Sequence, residues 1–488
     1  MVARLFLRKS IEALQKEGAD KTGFRRALGP LQLTAMGIGA IIGAGIFVLT
    51  GQAAASYAGP AVVISFIIAS ILCFFTALCY AEFASTIPVS GSAYTYAYAS
   101  LGEIVAWTIG WALILEYLFS VCAVAVGWSG YLSSLLRDFG IVLPKMLSSA
   151  PFNHSPTQGW YLTGDMLNLP AMFIVAVIGI LITVGIQAAA RLNEAMVVIK
   201  VAIVLLFIAF GIPFVKTGNW TPFIPENTGQ FGHFGWSGIF RGASVVFFAY
   251  IGFDAVSTLA QEARHPKKDM PLGMLGSLSV STILYILVAL VLTGLVSHTD
   301  LNVPDPIAKA IDNLGPSFAW FGLIIKFAIL AGLTSVILVM LVGQTRIFYT
   351  MAHDGLMPMI FAKLHHKFRT PYVTTIITTL LGLIIAGLFP VGILAELVSM
   401  GALLAFGIVN IGILVLHYRR PDLVRPFKTP FVPFVPLIGG LGCLFQMIVL
   451  PLNTWIQLIV WLLIGCIIYF SYGKKNSLIQ KAHQQSHQ

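Results

Sequence analysis

Apolar runs of about 20 residues, the length that crosses a hydrocarbon core as a helix, recur from one end of this chain to the other. Twelve can be counted in the 488 residues, starting near residues 31, 60, 104, 168, 193, 236, 271, 317, 371, 393, 431 and 453. A segment in lipid must satisfy its backbone groups internally, so such runs fold as helices. Charged residues make up 10% of the chain, against about 25% in an average soluble domain. The pattern predicts an all-α polytopic membrane protein with 12 transmembrane helices.

The formal charge of +10 suggests a nucleic-acid partner only until the charges are placed. With the N-terminus inside, the segments on the cytoplasmic side hold 22 of the 29 Lys and Arg. They lie in the first 30 residues, at Arg191, at 264–268, in 346–369, in 419–428 and in the tail. Arg137, Lys145, Lys216, Arg241 and Lys309 fall outside, and Lys200 and Lys326 within spans. This is the positive-inside bias, and it predicts that both termini are cytoplasmic in a multi-pass protein of the cell membrane. The charge is topological, and no nucleic-acid partner is expected.

The first 30 residues carry scattered Arg4, Arg8, Lys9, Lys16, Arg25 and Arg26 with no continuous apolar core, so a signal peptide is not expected. They read as a basic amphipathic segment with Leu5, Phe6, Ile11 and Leu14 towards lipid. All five cysteines, Cys73, Cys79, Cys122, Cys443 and Cys466, lie in apolar runs and imply neither a disulfide framework nor a metal site. No P-loop, zinc signature or nucleophile elbow is present, which argues against an enzyme or an ATP-driven pump.

The first span contains GIGAIIGAGIF, residues 37–47, in which Gly37, Gly39, Gly43 and Gly45 each weaken a helix by about 1 kcal/mol relative to Ala. A dinucleotide-binding loop is excluded by the spacing and by the lack of a preceding strand. Gly39 and Gly43 match a small-xxx-small packing seam. The alternative is a helix that unwinds at mid-membrane to expose backbone groups to a ligand, which requires a matching break in a second half. The sixth span offers one in SVVFFAYIGFDAVSTLAQEA, residues 244–263, with Gly252 at its centre and Asp254 two residues on. Spans one to five and six to ten then form two five-helix halves of opposite orientation.

LGPLQLTAMGIGAIIGAGIFVLTG and FFAYIGFDAVSTLAQEARHPKKDMP resemble the first and sixth helices of the amino acid–polyamine–organocation superfamily. With PVSGSAYTYAY, GLTSVILVMLVGQTRIFYTMAHDGLMP, RRPDLVRPFKTPFVPFVP and YFSYGKKNS, the chain resembles the bacterial branch of the cationic amino acid transporter family. One departure is His353, where the family pattern has Arg before Asp-Gly. The resemblance implies a 5+5 inverted-repeat core with discontinuous helices 1 and 6 and two peripheral helices. Its bounds are a cytoplasmic segment 1–30, first repeat 31–216, second repeat 236–418, peripheral helices 430–472 and cytoplasmic tail 473–488. It also implies an L-amino acid substrate. The amides of Gly43, Ala44 and Gly45 would meet its carboxylate, and the carbonyls of Ile41, Phe248, Ala249 and Ile251 its ammonium, with Phe248 as the gate.

Ionisable groups inside a span mark function or a fixed partner. The resemblance places the ammonium of Lys200 where sodium-coupled relatives hold a cation between the first, fifth and eighth helices. A lysine there that gains and loses a proton makes transport proton-coupled; the alternative is permanent pairing with an acid or a helix end. Glu116 could share protons with Lys200, face a basic substrate side chain, or be a packing residue. Asp254 reads as a cap for the second half-helix, Lys326 as a side chain reaching the headgroups, and Glu82 and Glu396 as structural.

The leading expectation is a proton-coupled symporter of L-amino acids, cationic or small and neutral such as alanine, working by alternating access. An exchanger is the same-class alternative; an amino acid sensor or a channel fits less well. The proton gradient supplies the energy, and no cofactor or metal is expected. Membrane lipids are expected partners. The loop after the third span lacks a cysteine, so no disulfide-linked heavy subunit is expected. A small membrane-protein partner or a bound sterol would leave no mark in the sequence.

Overall fold

The computed structural model describes residues 5–19, 28–89, 91–155, 159–184, 186–260, 262–366 and 370–485. The expected basic positions Arg4, Arg25 and Arg26 lie outside the described residues. Eight stretches are long and apolar enough to cross a membrane, among the described residues, and four shorter apolar helices accompany them. One of the eight runs over the 42 residues Gly45–Thr86 and so joins the second half of the first span to the second span.

Apart from one two-stranded hairpin, the described elements are helices. They begin with α1 (Ile11–Ala19), α2 (Pro30–Ile41), α3 (Val62–Thr86), α4 (Ser92–Ser100) and α5 (Glu103–Asp138). A two-stranded hairpin, β1 (Phe152–Ser155) and β2 (Gly159–Leu162), precedes α6 (Leu169–Val184) and α7 (Ile186–Gly211). Then come α8 (Gly235–Val246), α9 (Pro266–Leu295), the short α10 (Pro306–Asp312) and α11 (Ala319–His353). The set ends with α12 (Tyr372–Leu388), α13 (Val391–Arg419), α14 (Phe434–Val449), α15 (Leu452–Ile468) and α16 (Leu478–Gln485). The turn expected at Arg191 is helical, because α7 already starts at Ile186.

Local chemistry sets several of these boundaries. Pro30 starts α2 at a position where a missing N–H is harmless, and the Gln32 side chain accepts the Gly29 amide at 2.9 Å. Asn168 caps α6 by accepting the Ala171 amide at 3.2 Å, and its oxygen also accepts Ser129 Oγ on α5 at 2.6 Å. Ser10 caps α1 through the Ala13 amide at 3.2 Å.

Helices α5 and α11 form an antiparallel wall. Trp128 Nε1 donates to Thr334 Oγ1 at 3.1 Å, Gly343 packs on the Tyr117 ring, and Gly110 packs on Met351. Helices α2 and α9 pack through small residues, Gly37 against Ser277 and Gly273 against Leu33. Just before them, Leu28 and Ala263 form a backbone bridge, with Leu28 donating to Glu262 O at 3.0 Å and Arg264 to Leu28 O at 2.8 Å. On the exterior, large apolar side chains such as Phe173, Ile180, Leu380 and Leu463 are exposed, as a lipid-facing surface requires.

Three expectations about charged or amphipathic residues are corrected. Ile11 and Leu14 do not face lipid; they are 3% and 5% exposed, because α1 docks its apolar stripe on the protein itself. Glu12 on its other face pairs with Arg420 at 2.9 Å, and its own backbone hydrogen bond and that guanidinium push the carboxyl down to about 2. Arg241 is no loop cation. It lies within α8 and donates to Glu396 at 2.7 Å, which also accepts Thr454 Oγ1 at 3.0 Å.

Lys326 does not reach headgroups. Its side chain is 1% exposed and pairs with Asp138 at 2.7 Å and Asp312 at 3.2 Å, tying α11 to the end of α5 and to α10. A buried ammonium cannot remain without counter-charge, and two acids that keep contact with water supply it. Glu82 matches its structural reading: fully buried, it accepts His417 Nε2 at 2.7 Å and the Thr429 amide at 2.8 Å.

Lys326→Met is expected to lower stability by about 1–3 kcal/mol, since the freed acids can regain water. Asp138→Asn combined with Asp312→Asn leaves the ammonium stranded and is expected to lose more, about 3–5 kcal/mol. Thermal unfolding of the purified variants gives the order. No change in either would mean that Lys326 does reach the headgroups.

Candidate functional site

Both glycine-marked spans are broken where the sequence suggests. Helix α2 stops at Ile41; Ile42 turns extended, at ψ 107°, while its amide still donates to Ile38 O at 2.9 Å. The chain resumes helically at Gly45–Leu49. The opposite span leaves α8 for a tight turn at Phe247–Tyr250, becomes extended at Ile251 and resumes at Asp254–Leu259. Between them Gly252 has φ +122°, a conformation that side chains disfavour, and a Cβ there would press on the Ala40 carbonyl at 2.8 Å.

The breaks face each other at van der Waals contact. A Cβ on Gly45 would lie 2.3 Å from Ala249 Cα, so this glycine lets two backbones approach. Gly39 packs against Val197 of α7, and Gly43 against Val336 of α11. The two readings of the motif therefore divide along it: Gly37 and Gly39 serve packing, and Gly43 and Gly45 flank the break.

The first amides of a resumed helix have no acceptor within it. Among the described residues, those of Gly43, Ala44 and Gly45 have no backbone acceptor. Carbonyls converge from the other sides. Tyr285 of α9 places its hydroxyl 2.8 Å from both Ile41 O and Ala249 O. One hydroxyl proton serves one carbonyl at a time, so the pair stays under-satisfied and open to a further donor. The Phe248 carbonyl accepts the Ile251 amide at 3.2 Å. Asp254 opens the second half-helix, where its carboxylate faces the first-turn amides of Asp254 and Ala255. Its Oδ1 accepts the Gly252 amide at 3.1 Å, which pins the break itself.

Between the breaks is a small cavity of about 10 Å³, lined by Ala40, Ile41, Gly43, Ala44, Gly45, Ser120, Val124, Phe248, Ile251, Val336 and Met340. That is room for about one water molecule. Six of the predicted site residues, Ile41, Gly43, Ala44, Gly45, Phe248 and Ile251, line it, and Ala249 stands behind Gly45. Its walls carry no acid, and Ser120 is their one hydroxyl. A larger groove of about 340 Å³ between α13 and α14 is apolar on all sides and opens to the exterior.

Lys200 and Glu116 lie outside the lining. Lys200, fully buried on α7, donates through Nζ to Gly39 O and, at 3.3 Å, to Ser335 Oγ. It thus links α2, two residues before its end, to α11. Its Cβ sits in the notch left by Gly332. Glu116 is one turn from Ser120 on α5, and neither carboxyl oxygen has a protein partner among the described residues. The same holds for the amide of Gln344, one turn beyond Met340 on α11. Ser120, Gln344 and Tyr285 were not legible as site residues. Each is a lone polar side chain in an apolar run, a pattern that packing residues share.

These features define a polytopic helical membrane protein with a small enclosed site between two interrupted helices. The sequence profile of the amino acid permease family matches residues 28–472, and the chain belongs to that family. It is 43% identical over 480 residues to a methylthioribose transporter of Bacillus subtilis, covering 98% of this chain and 100% of the relative. A branched-chain amino acid permease, BcaP, of the same organism is 44% identical over 482 residues, with coverages of 99% and 100%. Cationic amino acid transporter 4 of Mus musculus is 34% identical over 438 residues, with coverages of 87% and 67%. This is a bacterial-type member of the superfamily that the sequence resembles, a transporter and not an enzyme.

Gly45→Ala forces a Cβ into the Ala249 backbone and is expected to lose about 3 kcal/mol or more, or to misassemble. Gly43→Ala meets the Val336 side chain at 3.0 Å, which can yield, so about 1 kcal/mol or less is expected. Thermal midpoints of the two variants decide. Equal stability would contradict the facing of the breaks.

Proposed function

We propose that the protein is a proton-coupled symporter of small and branched aliphatic L-amino acids, working by alternating access. The observation that carries this reading is the pairing at one apolar cavity of free half-helix amides with under-satisfied carbonyls. Unpaired amides at a helix N-terminus favour a carboxylate, and carbonyls at a helix C-terminus favour an ammonium. A zwitterion presents both ends, and the apolar wall between Val124, Val336 and Met340 suits an aliphatic side chain. A wall without an acid favours neutral over cationic substrates. The printed name of the 44%-identical permease, for branched-chain amino acids, points the same way.

In this reading the amides of Gly43, Ala44 and Gly45 hold the carboxylate. Ile41 O and Ala249 O pass from the Tyr285 hydroxyl to the substrate ammonium, with help from the carbonyls of Phe248 and Ile251. The Phe248 ring covers the bound amino acid. Protonated Lys200 holds the end of α2 against α11; losing its proton removes the charge and one N–H, which weakens its hold on Gly39 O and Ser335 and frees α2 to move, releasing substrate. Glu116 is the second candidate for carrying the proton. Twelve crossings in two inverted five-helix repeats plus two peripheral helices fit the facing breaks. Both termini on one side fit the contacts of Lys9 and Leu478 with the same residue, Asp354. The positive-inside bias makes that side cytoplasmic.

Uptake into proteoliposomes tests the reading. An inward pH gradient is expected to concentrate leucine and alanine, a protonophore to abolish this, and excess arginine to compete weakly. Lys200→Met is expected to lose concentrative uptake while retaining leucine–leucine exchange. Gradient-independent uptake in the wild type would make the protein an exchanger. Concentrative uptake at the wild-type rate in Lys200→Met would reduce that lysine to a structural role.

A further inference from the structure

The glycines of α13 and α14 fall into two sets. Gly439 and Gly442 serve packing: a Cβ on them would lie 2.6 Å from the Asn410 side chain and 2.2 Å from that of Leu72. Gly407 and Gly440 line the apolar groove instead, and a Cβ on either meets nothing closer than 3.7 Å. Neither has a positive φ. Helix contact and backbone conformation therefore do not require glycine at 407 or 440, and glycine weakens a helix relative to Ala. What these two glycines leave is space.

The space is a groove of about 340 Å³ that runs from Leu403 to Leu414 on α13 and from Pro436 to Met447 on α14. At 1.5 Å per residue each edge is about 16 Å long, close to half of the roughly 30 Å hydrocarbon thickness. Ile411, Leu437, Leu441 and Leu444 along it are exposed, and no polar side chain lines it. Such a slot fits an acyl chain from one leaflet.

At its Leu414 and Pro436 end the groove adjoins the loop 420–433, which joins the two helices. The positive-inside bias puts this end at the cytoplasmic face. Of the cations there, Arg420 pairs with Asp422 and Glu12, and Arg425 with Glu82. Arg419 and Lys428 are exposed and enter no ion pair among the described residues. Beside them in the chain Tyr418, Val424, Phe431 and Phe434 are each at least 66% exposed. Phe431 holds φ +48°, a region that side chains disfavour, while its carbonyl accepts the Phe434 amide at 2.7 Å. Free cations among exposed aromatic and aliphatic side chains suit the headgroup layer, where they attract anionic lipid. A second copy of the chain would bring the same apolar and basic face, so it offers no counter-charge. A phospholipid supplies the chain and the charge in one molecule.

We propose that this is a seat for one anionic phospholipid of the cytoplasmic leaflet. An acyl chain lies in the groove over Gly407 and Gly440, and Arg419 and Lys428 hold the headgroup phosphate. No residue of the seat lines the cavity between the breaks, so the proposal goes beyond the transport reading.

Native mass spectrometry of the purified full-length protein in detergent tests it, with titration of dioleoylphosphatidylglycerol or dioleoylphosphatidylcholine. The two lipids share their chains and differ in net headgroup charge. Each Lys or Arg beside an anionic headgroup contributes about fivefold, so the glycerol lipid is expected to bind roughly 25-fold tighter. Arg419→Gln/Lys428→Gln is expected to bind the two alike. Gly407→Leu/Gly440→Leu fills the groove and is expected to weaken both lipids about tenfold or more. Its thermal midpoint without lipid is expected at or above that of wild type. Should the leucines prevent folding, Gly407→Ala/Gly440→Ala takes their place, since the added carbons make only ordinary contacts. It is expected to weaken both lipids about threefold, and unchanged binding overturns the proposal. Equal affinity of the wild type for the two lipids overturns it, as does tight phosphatidylglycerol binding by the leucine pair. A dimer that the leucine pair dissociates would make the groove a contact between copies and overturns it too. The measurement needs no substrate, so its failure is distinct from a failure of the transport reading.

Discussion

An unpaired backbone N–H or C=O inside a hydrocarbon layer costs several kcal/mol, and a helix avoids this by bonding every group to its own chain. Two interruptions at one depth are therefore affordable only where something else meets the freed groups. Here the solutions are visible group by group. Asp254 takes the Gly252 amide, Tyr285 is shared by Ile41 O and Ala249 O, and Lys200 reaches Gly39 O. What remains, the amides at Gly43 to Gly45 and the half-served carbonyls, is a site whose polarity matches a zwitterion.

The charged residues follow from the same constraint. Several buried charges have partners that join two or more elements. Lys326 joins α11 to α5 and α10, Arg241 joins α8 to α13, and Glu82 joins α3 to the chain after α13. Such pairs contribute little net stability because desolvation offsets attraction, but losing one partner is expensive. Their effect is to fix which helices stand together. Glu116 stands apart: a buried acid with no protein partner among the described residues, one turn from the cavity.

Much of this was legible in the sequence because lipid imposes strong patterns. Apolar length marks a span, glycine density marks a break, and basic loops mark a side. The two breaks fell at GIGAIIGAGIF and at Gly252 as expected. Patterns that need a partner were misread. Lys326 looks like a headgroup lysine until α10 folds back to bring Asp312 beside it, and nothing in the 319–353 run announces that contact. Ile11 and Leu14 form the same stripe whether it faces lipid or protein. Tyr285 is one aromatic among many in apolar helices, and only the meeting of two broken helices at its hydroxyl distinguishes it.

The central claim is that main-chain groups of the two breaks bind both charged ends of an amino acid. Binding of leucine to the purified protein, set against isoamylamine, which lacks the carboxylate, and 4-methylpentanoate, which lacks the ammonium, tests it most directly. All three carry the same side chain, so a merely apolar pocket treats them alike. The account predicts that each missing end weakens binding by about 2–3 kcal/mol, roughly 30- to 150-fold. Either analogue binding as tightly as leucine would contradict it.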